Sequence, residues 1–107
     1  MYNRTLAKSD LESVIFGHIG DNHLHVNIIP NNMEEYNKGK KLYQKWARRI
    51  VEMKGSVAAE HGIGKLKIPF LYSMYGEKEM KAMQNLKLLF DPDCILNPGT
   101  LFKSGDR

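Results

Sequence analysis

The chain has 107 residues, of which 42% are hydrophobic and 26% are charged, values typical of one small globular domain. It contains neither an apolar stretch near the roughly 20 residues of a membrane span nor the apolar core of a signal peptide, so we predict a cytoplasmic protein with no transmembrane segment. The net charge of +4 comes from basic residues interleaved with acidic ones, which predicts a solvated surface and no nucleic-acid partner.

Residues 14–30 (VIFGHIGDNHLHVNIIP) hold three of the four histidines and predict a β-hairpin. Two apolar stretches flank Asp21 and Asn22, whose short polar side chains tolerate the left-handed backbone of a two-residue turn. With that turn, His18 lies opposite His25. Strand alternation places Ile15, Ile19, Leu24, Val26 and Ile28 on one oily face, and His18, His23, His25 and Asn27 on the other.

A long helix is predicted next. Asn32 precedes Glu35 by three residues, the spacing of an N-terminal cap, and the helix should run from about Met33 to Lys54 with Gly55 as its C-cap. Its apolar stripe is expected to cover the oily hairpin face and comprises Tyr36, Tyr43, Trp46, Ala47, Ile50 and Met53.

Residues 56–59 are small and mostly apolar, and predict a third strand that delivers Glu60 and His61 to a strand end. A helix then begins near Lys65, and a second one spans about 77–90 after Gly76. Phe70, Leu71 and Met74 of the first of these helices are expected to point inward, and the second shows Met80, Met83, Leu86 and Phe90 at helical spacing. The predicted fold class is α+β, with a small antiparallel sheet of two to three strands and helices packed mainly on one face.

The polar residues of these elements suggest a metal centre. Cβ atoms of opposed strand residues lie roughly 4.5–5.5 Å apart, so His18 and His25 can share one ion. Two imidazoles with the Glu60 carboxylate form a set typical of catalytic metals. His61 is a candidate base, since imidazoles as a class titrate near neutrality. The alternative is a hydrogen-bonded polar face without a ligand.

Three blocks, GHIGDNHLHVNI, AAEHGIGKLK and FDPDCILNPGTLF, together resemble the C-terminal cap part of FAD-linked oxidases of the vanillyl-alcohol-oxidase superfamily. The branch resembled contains the glycolate oxidase FAD subunit and the D-lactate and D-2-hydroxyglutarate dehydrogenases. The resemblance covers about residues 14–103. It implies that residues 1–107 are a single partial domain, a fragment of a larger cap domain without the flavin-binding domain.

The resemblance also implies an activity: oxidation of a D-2-hydroxy acid, with hydride passing to FAD, beside a divalent metal such as zinc, manganese or iron. It assigns His18, His25 and Glu60 as metal ligands, His61 as the catalytic base, Asn27 to the substrate and Asn97 to the flavin. One departure lies in the hairpin, where Asn22 and His23 stand in place of the family's Gly-Asn. We expect the chain alone neither to hold FAD tightly nor to be active, and a homodimer or a flavin-domain chain to cover its exposed surfaces.

Two alternatives remain open at this point. The chain could be a non-catalytic cap remnant that dimerises or binds metal. Residues 23–30 also resemble the active strand of histidine-triad nucleotide hydrolases, in which a third alternating histidine would stand at Asn27; the missing histidine makes that motif degenerate.

Overall fold

The computed structural model describes residues 1–102, except for the side chain of Ile19; the predicted core of about 14–103 therefore extends one residue beyond the described part. The elements are α1 (Tyr2–Leu6), β1 (Ser13–His18), a 3₁₀ turn (Ile19–Asp21), β2 (His23–Ile28), α2 (Met33–Glu52) and α3 (Ile68–Phe90). These described elements confirm the α+β class with a two-stranded antiparallel sheet. None of the described helices is both long and apolar enough to cross a membrane.

The chain divides into two compact units, residues 1–46 and 47–107. The first unit contains the hairpin, and α2 begins in it. The second contains α3 and the segments on either side of α3. Each unit is described separately below.

The hairpin forms in a different register from the predicted one. His18 lies opposite His23, and His25 lies opposite Phe16, so the predicted pairing of His18 with His25 is wrong by two residues. The strands are joined by four residues: the 3₁₀ turn, followed by Asn22 with a left-handed φ of 51°. Because side chains alternate with a period of two, this shift leaves each strand residue on its predicted face.

Part of the oily hairpin face packs against the middle of α2, whereas Leu24 of that face and Tyr36 of the predicted stripe are exposed. The Tyr43 hydroxyl donates a hydrogen bond to the Val26 carbonyl. Gly39 is buried, and a Cβ placed there would lie 3.4 Å from Ile28 Cγ2, so the helix backbone approaches the strand closely at this point. Burial raises the pKa of the Tyr43 phenol, while a backbone hydrogen bond with Ile28 lowers it in part.

Trp46 is the central buried side chain of the first unit. Its ring meets the edges of Tyr2 and Tyr43, with centroid distances of 5.1 and 5.5 Å. Its indole N–H donates to Thr5 Oγ1 at 2.9 Å. The polar N-terminal segment, for which the sequence predicts no element, thus forms α1 and packs against this tryptophan, since a buried indole requires both apolar contact and a hydrogen-bond acceptor.

The start of α2 at Met33 is confirmed. The Glu35 N–H donates to Asn32 Oδ1 at 2.9 Å, and Glu35 Oε2 accepts the Asn31 N–H at 2.8 Å. These reciprocal bonds satisfy backbone donors that have no partner within the helix.

α2 ends at Glu52, two residues before the predicted end near Lys54, and its C-cap also differs from the predicted one. Lys54, not Gly55, takes the left-handed conformation, with a φ of 60°. The Gly55 N–H donates to the Ile50 carbonyl at 2.8 Å, and the Lys54 N–H donates to Val51 at 2.9 Å, which is the pattern of a Schellman motif. Gly55 is suited to its position because a Cβ there would lie 2.8 Å from Ile50 Cγ2.

The third strand predicted at residues 56–59 does not form; that segment has no strand structure. Ser56 Oγ accepts the Ala58 N–H at 3.1 Å and donates to the Ala58 carbonyl at 2.6 Å. The hydroxyl therefore satisfies nearby backbone groups that a strand would direct to a neighbour.

The core of the second unit lies on α3. Gly76, with φ 81° and ψ 174°, interrupts the helix, as predicted from the boundary placed there. The buried cluster comprises Ile63, Ile68, Leu71, Met80 and Phe102. Met80 is only 1% exposed, but Leu86 and Phe90, which share its helical spacing in the sequence, are 58% and 77% exposed. Gln84 and Asp91 are buried instead.

Candidate metal centre and catalytic pair

Three histidines gather on one face of the hairpin, here called the histidine face. His18 ends β1, His23 begins β2, and His25 follows two residues later. Their ring centroids are 4.5 Å apart for His23 and His25, 5.5 Å for His18 and His23, and 5.7 Å for His18 and His25. Each offers a ring nitrogen within 4.8 Å of those offered by the other two.

This donor set fits a divalent metal. Zn–N bonds of 2.0–2.1 Å at tetrahedral angles place ligand nitrogens about 3.4 Å apart. The candidate nitrogens lie within 4.8 Å of one another, so the most distant pair would move up to about 1.4 Å closer to reach that spacing. Imidazole is a suitable ligand for zinc, iron and copper, and an added carboxylate extends the range to manganese.

Gly17 permits the close approach of the two strands beside these histidines. A Cβ at this position would overlap the backbone carbonyl oxygen of His23 and lie 3.0 Å from Leu24 Cα. Both neighbours are backbone atoms of β2, so they cannot rotate away. The absence of a side chain at Gly17 therefore permits the strand pairing in which His18 lies opposite His23.

Glu60 and His61 lie in a turn of the second unit. The Gly62 N–H donates to the Ala59 carbonyl at 3.2 Å, and Gly62 has a φ of 64°. His61 Nε2 is 3.3 Å from Glu60 Oε1. On an extended strand these neighbouring side chains would point apart; the turn brings them into contact, as the glycine after them suggested.

Asn97 lies in a second turn, at the LNPG sequence. The Thr100 N–H donates to the Asn97 carbonyl at 3.1 Å. Pro98 and Gly99 occupy the central positions, and Gly99 has a φ of 76°, the arrangement of a type II turn. Asn97 itself is left-handed, with a φ of 44°, a conformation that asparagine tolerates better than most residues.

Asp91 organises the loop that leads to this turn, a role that was not predicted from the sequence. Its two carboxylate oxygens accept the backbone N–H groups of Ile95 and Leu96 at 3.0 and 3.1 Å. The ammonium group of Lys87 donates to Asp91 and also, at 3.1 Å, to the Leu96 carbonyl. The hydrogen bond from Lys87 is the main reason that the pKa of Asp91 lies below its usual range. The available signal was the lysine one helical turn before the aspartate.

The predicted site residues are thus distributed over both units. His18, His25 and Asn27 share the histidine face, where Asn27 lies opposite Val14. Glu60, His61 and Asn97 belong to the second unit. Their assigned roles in binding and catalysis stay predictions.

Comparison with known proteins identifies the family. The family model "FAD linked oxidases, C-terminal domain" matches residues 2–101. The chain is 34% identical over 107 residues to the glycolate oxidase subunit GlcD of Bacillus subtilis, covering 98% of this chain and 23% of that protein. It is 36% identical over 104 residues to a D-2-hydroxyglutarate dehydrogenase of Xanthomonas citri, covering 94% and 22%.

A third relative is the mitochondrial D-lactate dehydrogenase [cytochrome] 1 of Saccharomyces cerevisiae, which is 32% identical over 101 residues, covering 94% of this chain and 17% of that protein. The chain therefore spans about a fifth of the length of the curated relatives it matches. The family model covers nearly every described residue, including the histidine face, the Glu60–His61 turn and the LNPG turn. The chain belongs to the family of FAD linked oxidases, C-terminal domain.

Proposed function

We propose that the chain supplies the metal-binding and proton-accepting half of the active site of an FAD-dependent oxidoreductase that oxidises D-2-hydroxy acids. The observation that carries this proposal is the histidine face, a cluster of imidazoles on one hairpin in a chain of the FAD linked oxidase family. His18, His25 and Glu60 are the proposed ligands of a divalent metal. This family assignment favours an oxidase over a histidine-triad hydrolase.

The residues have distinct tasks in this proposal. His61 accepts a proton from the substrate, and its Nε2 lies 3.3 Å from Glu60 Oε1, a carboxylate oxygen that can accept a hydrogen bond from the imidazole. Asn27, exposed on the histidine face, offers an amide to a polar group of the substrate. Asn97 meets the flavin at the LNPG turn. When bound, the metal lowers the pKa of the substrate hydroxyl, and FAD accepts the hydride.

A further part of the enzyme is needed to complete such a site. The exposed large apolar residues of the second unit include Leu86, Leu89, Phe90, Ile95 and Leu96. Three of them follow the i, i+3, i+4 spacing of one helix face. Because the chain corresponds to about a fifth of its relatives, we propose that the flavin-binding part of the enzyme covers these residues, and that the 107-residue chain alone neither retains FAD nor turns over substrate.

Metal content tests the ligand assignment. The purified chain is loaded with Zn²⁺, freed of excess ion and analysed beside His18→Ala, His25→Ala and Glu60→Gln. We expect about one ion per chain in the wild type and marked losses in both histidine variants. Gln44→Ala, an exposed substitution on α2, is the control and should keep its ion. Unchanged metal in both histidine variants would refute the site.

Substrate class is tested on the same protein loaded with Co²⁺. Glycolate, D-lactate and D-2-hydroxyglutarate should each change the visible spectrum of the ion, because a hydroxyl and a carboxylate together can coordinate it. Acetate, which lacks the hydroxyl, is the control. An equal response to acetate and to the hydroxy acids would contradict the proposed substrate class. Flavin absorbance retained by the purified chain would contradict the proposed dependence on a further flavin-binding part.

The cytoplasmic location stays a prediction. One relative, the yeast D-lactate dehydrogenase, is named as mitochondrial.

A further inference from the structure

We propose that His23 is a third imidazole ligand, so that the hairpin holds the metal through three histidines of the first unit. This inference rests on the metal site of the proposed function and adds a residue to it. The resemblance described in the sequence analysis places an asparagine at this position, so His23→Asn is an informative substitution.

The observed register places His23 at the centre of the cluster. It lies directly opposite His18 in the ladder and two residues from His25 on the same strand. Its ring is the nearest neighbour of His25, at 4.5 Å, and lies 5.5 Å from that of His18. A metal site made from His18 and His25 on this hairpin would therefore have the His23 ring against it.

The three rings can converge on one ion. The His18 ring comes from β1, and the His23 and His25 rings come from β2. The ring planes differ by 39° for His18 and His23, 71° for His18 and His25, and 38° for His23 and His25, so the rings approach from different directions. The candidate ligand nitrogens of these rings lie within 4.8 Å of one another. Tetrahedral zinc requires nitrogen–nitrogen distances of about 3.4 Å. Each imidazole has two nitrogens, and ring rotation selects which one faces the ion.

Three neutral ligands change what the metal can do. Three imidazoles neutralise none of the double positive charge of the ion, so the Glu60 carboxylate is the one anionic ligand of the site. A set with three nitrogens favours cobalt, zinc and copper over manganese. Because the three imidazoles belong to one hairpin and together hold the ion, we expect Glu60→Gln to weaken metal binding less than His23→Asn does.

The experiment is a Co²⁺ titration of the 107-residue chain, followed by visible absorption. Loss of a group that merely orients a ligand weakens metal binding about 10- to 100-fold, so we expect His23→Asn to weaken it at least 10-fold. Leu24→Asn is the matched control, because it introduces the same residue at the next position, on the opposite face of the strand. Its affinity should equal that of the wild type. Trp46 fluorescence verifies that each variant is folded.

Ligand counting gives an independent readout. Pulsed electron paramagnetic resonance of the Cu²⁺-loaded chain should detect three coordinated imidazoles in the wild type and two in His23→Asn. Equal affinity and an equal count in both proteins would overturn the inference. If His18→Ala and His25→Ala lose metal while His23→Asn keeps it, the inference fails and the metal site of the proposed function stands. If none of the three variants loses metal, both fail.

Discussion

Replacing Gly17 with alanine should destabilise the hairpin by displacing β2. The new Cβ would overlap the carbonyl oxygen of His23 and lie 3.0 Å from Leu24 Cα, and both atoms belong to the backbone. Forcing extra atoms into a packed position costs about 1–3 kcal/mol. The smaller conformational freedom of alanine in the unfolded chain offsets about 0.4–1 kcal/mol of this. The steric effect is larger, so the expected net loss is about 1–2 kcal/mol.

Urea unfolding followed by Trp46 fluorescence measures this loss. The chain has one tryptophan, and it is buried in the unit that contains the hairpin. With an m-value near 1 kcal/mol/M, at the low end of the range for small proteins, the midpoint should fall by about 1–2 M. Gly20→Ala is the control, because no atom lies within 4 Å of its added Cβ. It should be as stable as the wild type or slightly more stable.

Gly17→Ala should also weaken Co²⁺ binding. The new Cβ overlaps the backbone of His23, which is one proposed ligand, and residue 17 directly precedes His18, which is another. If Gly17→Ala had the same urea midpoint and the same Co²⁺ affinity as Gly20→Ala, close strand approach at Gly17 would not be what positions the histidines.

Three further substitutions address other parts of the fold. Met80→Ala removes the most deeply buried side chain of the second unit and should lower the free energy of unfolding by about 2–5 kcal/mol; thermal unfolding by circular dichroism measures it, and a loss below 1 kcal/mol would contradict the assigned core. Asn32→Ala removes the acceptor for the Glu35 N–H and should cost about 1 kcal/mol, whereas Asn37→Ala, exposed within α2, should not. Asp91→Asn should be less stable than the wild type at neutral pH. Because the folded-state pKa of Asp91 is lowered, its contribution is complete above the unfolded-state pKa of about 3.8 and is lost as the pH falls through the folded-state value. The melting temperatures of the wild type and Asp91→Asn should therefore converge in acid. A constant difference down to low pH would show that the ionised Asp91 carboxylate is not the source of the stability.

The faces of the hairpin could be predicted from sequence, but its register could not. Alternation of side chains depends only on the strand period, and it correctly grouped His18, His23 and His25. Register depends on the connection, where the chain forms a 3₁₀ turn that includes Ile19 and Gly20. The pair Asp21-Asn22 favours a turn, but it does not determine whether the connection has two residues or four. That length depends on the backbone conformations of Ile19 and Gly20 as well.

The second unit shows a different limit of the sequence argument. Leu86 and Phe90 share the helical spacing of the buried Met80, yet both are exposed. The buried positions near the end of α3 are polar, Gln84 and Asp91. Hydrophobic spacing identifies an apolar helix face. It does not show whether that face packs in the core of this unit or is a surface that a further part of the enzyme covers.

The carboxylate of Asp91 has a consequence for the order in which the chain folds. The hydrogen bonds that link Lys87, Asp91 and Leu96 join residues at most nine apart in sequence. The hydrogen bond of the LNPG turn joins Thr100 to Asn97, three residues earlier. Loops this short close within about 10–100 ns, and their entropy of closure is small. The loop that carries Asn97 can therefore acquire its shape early, from neighbouring residues, before any distant segment arrives.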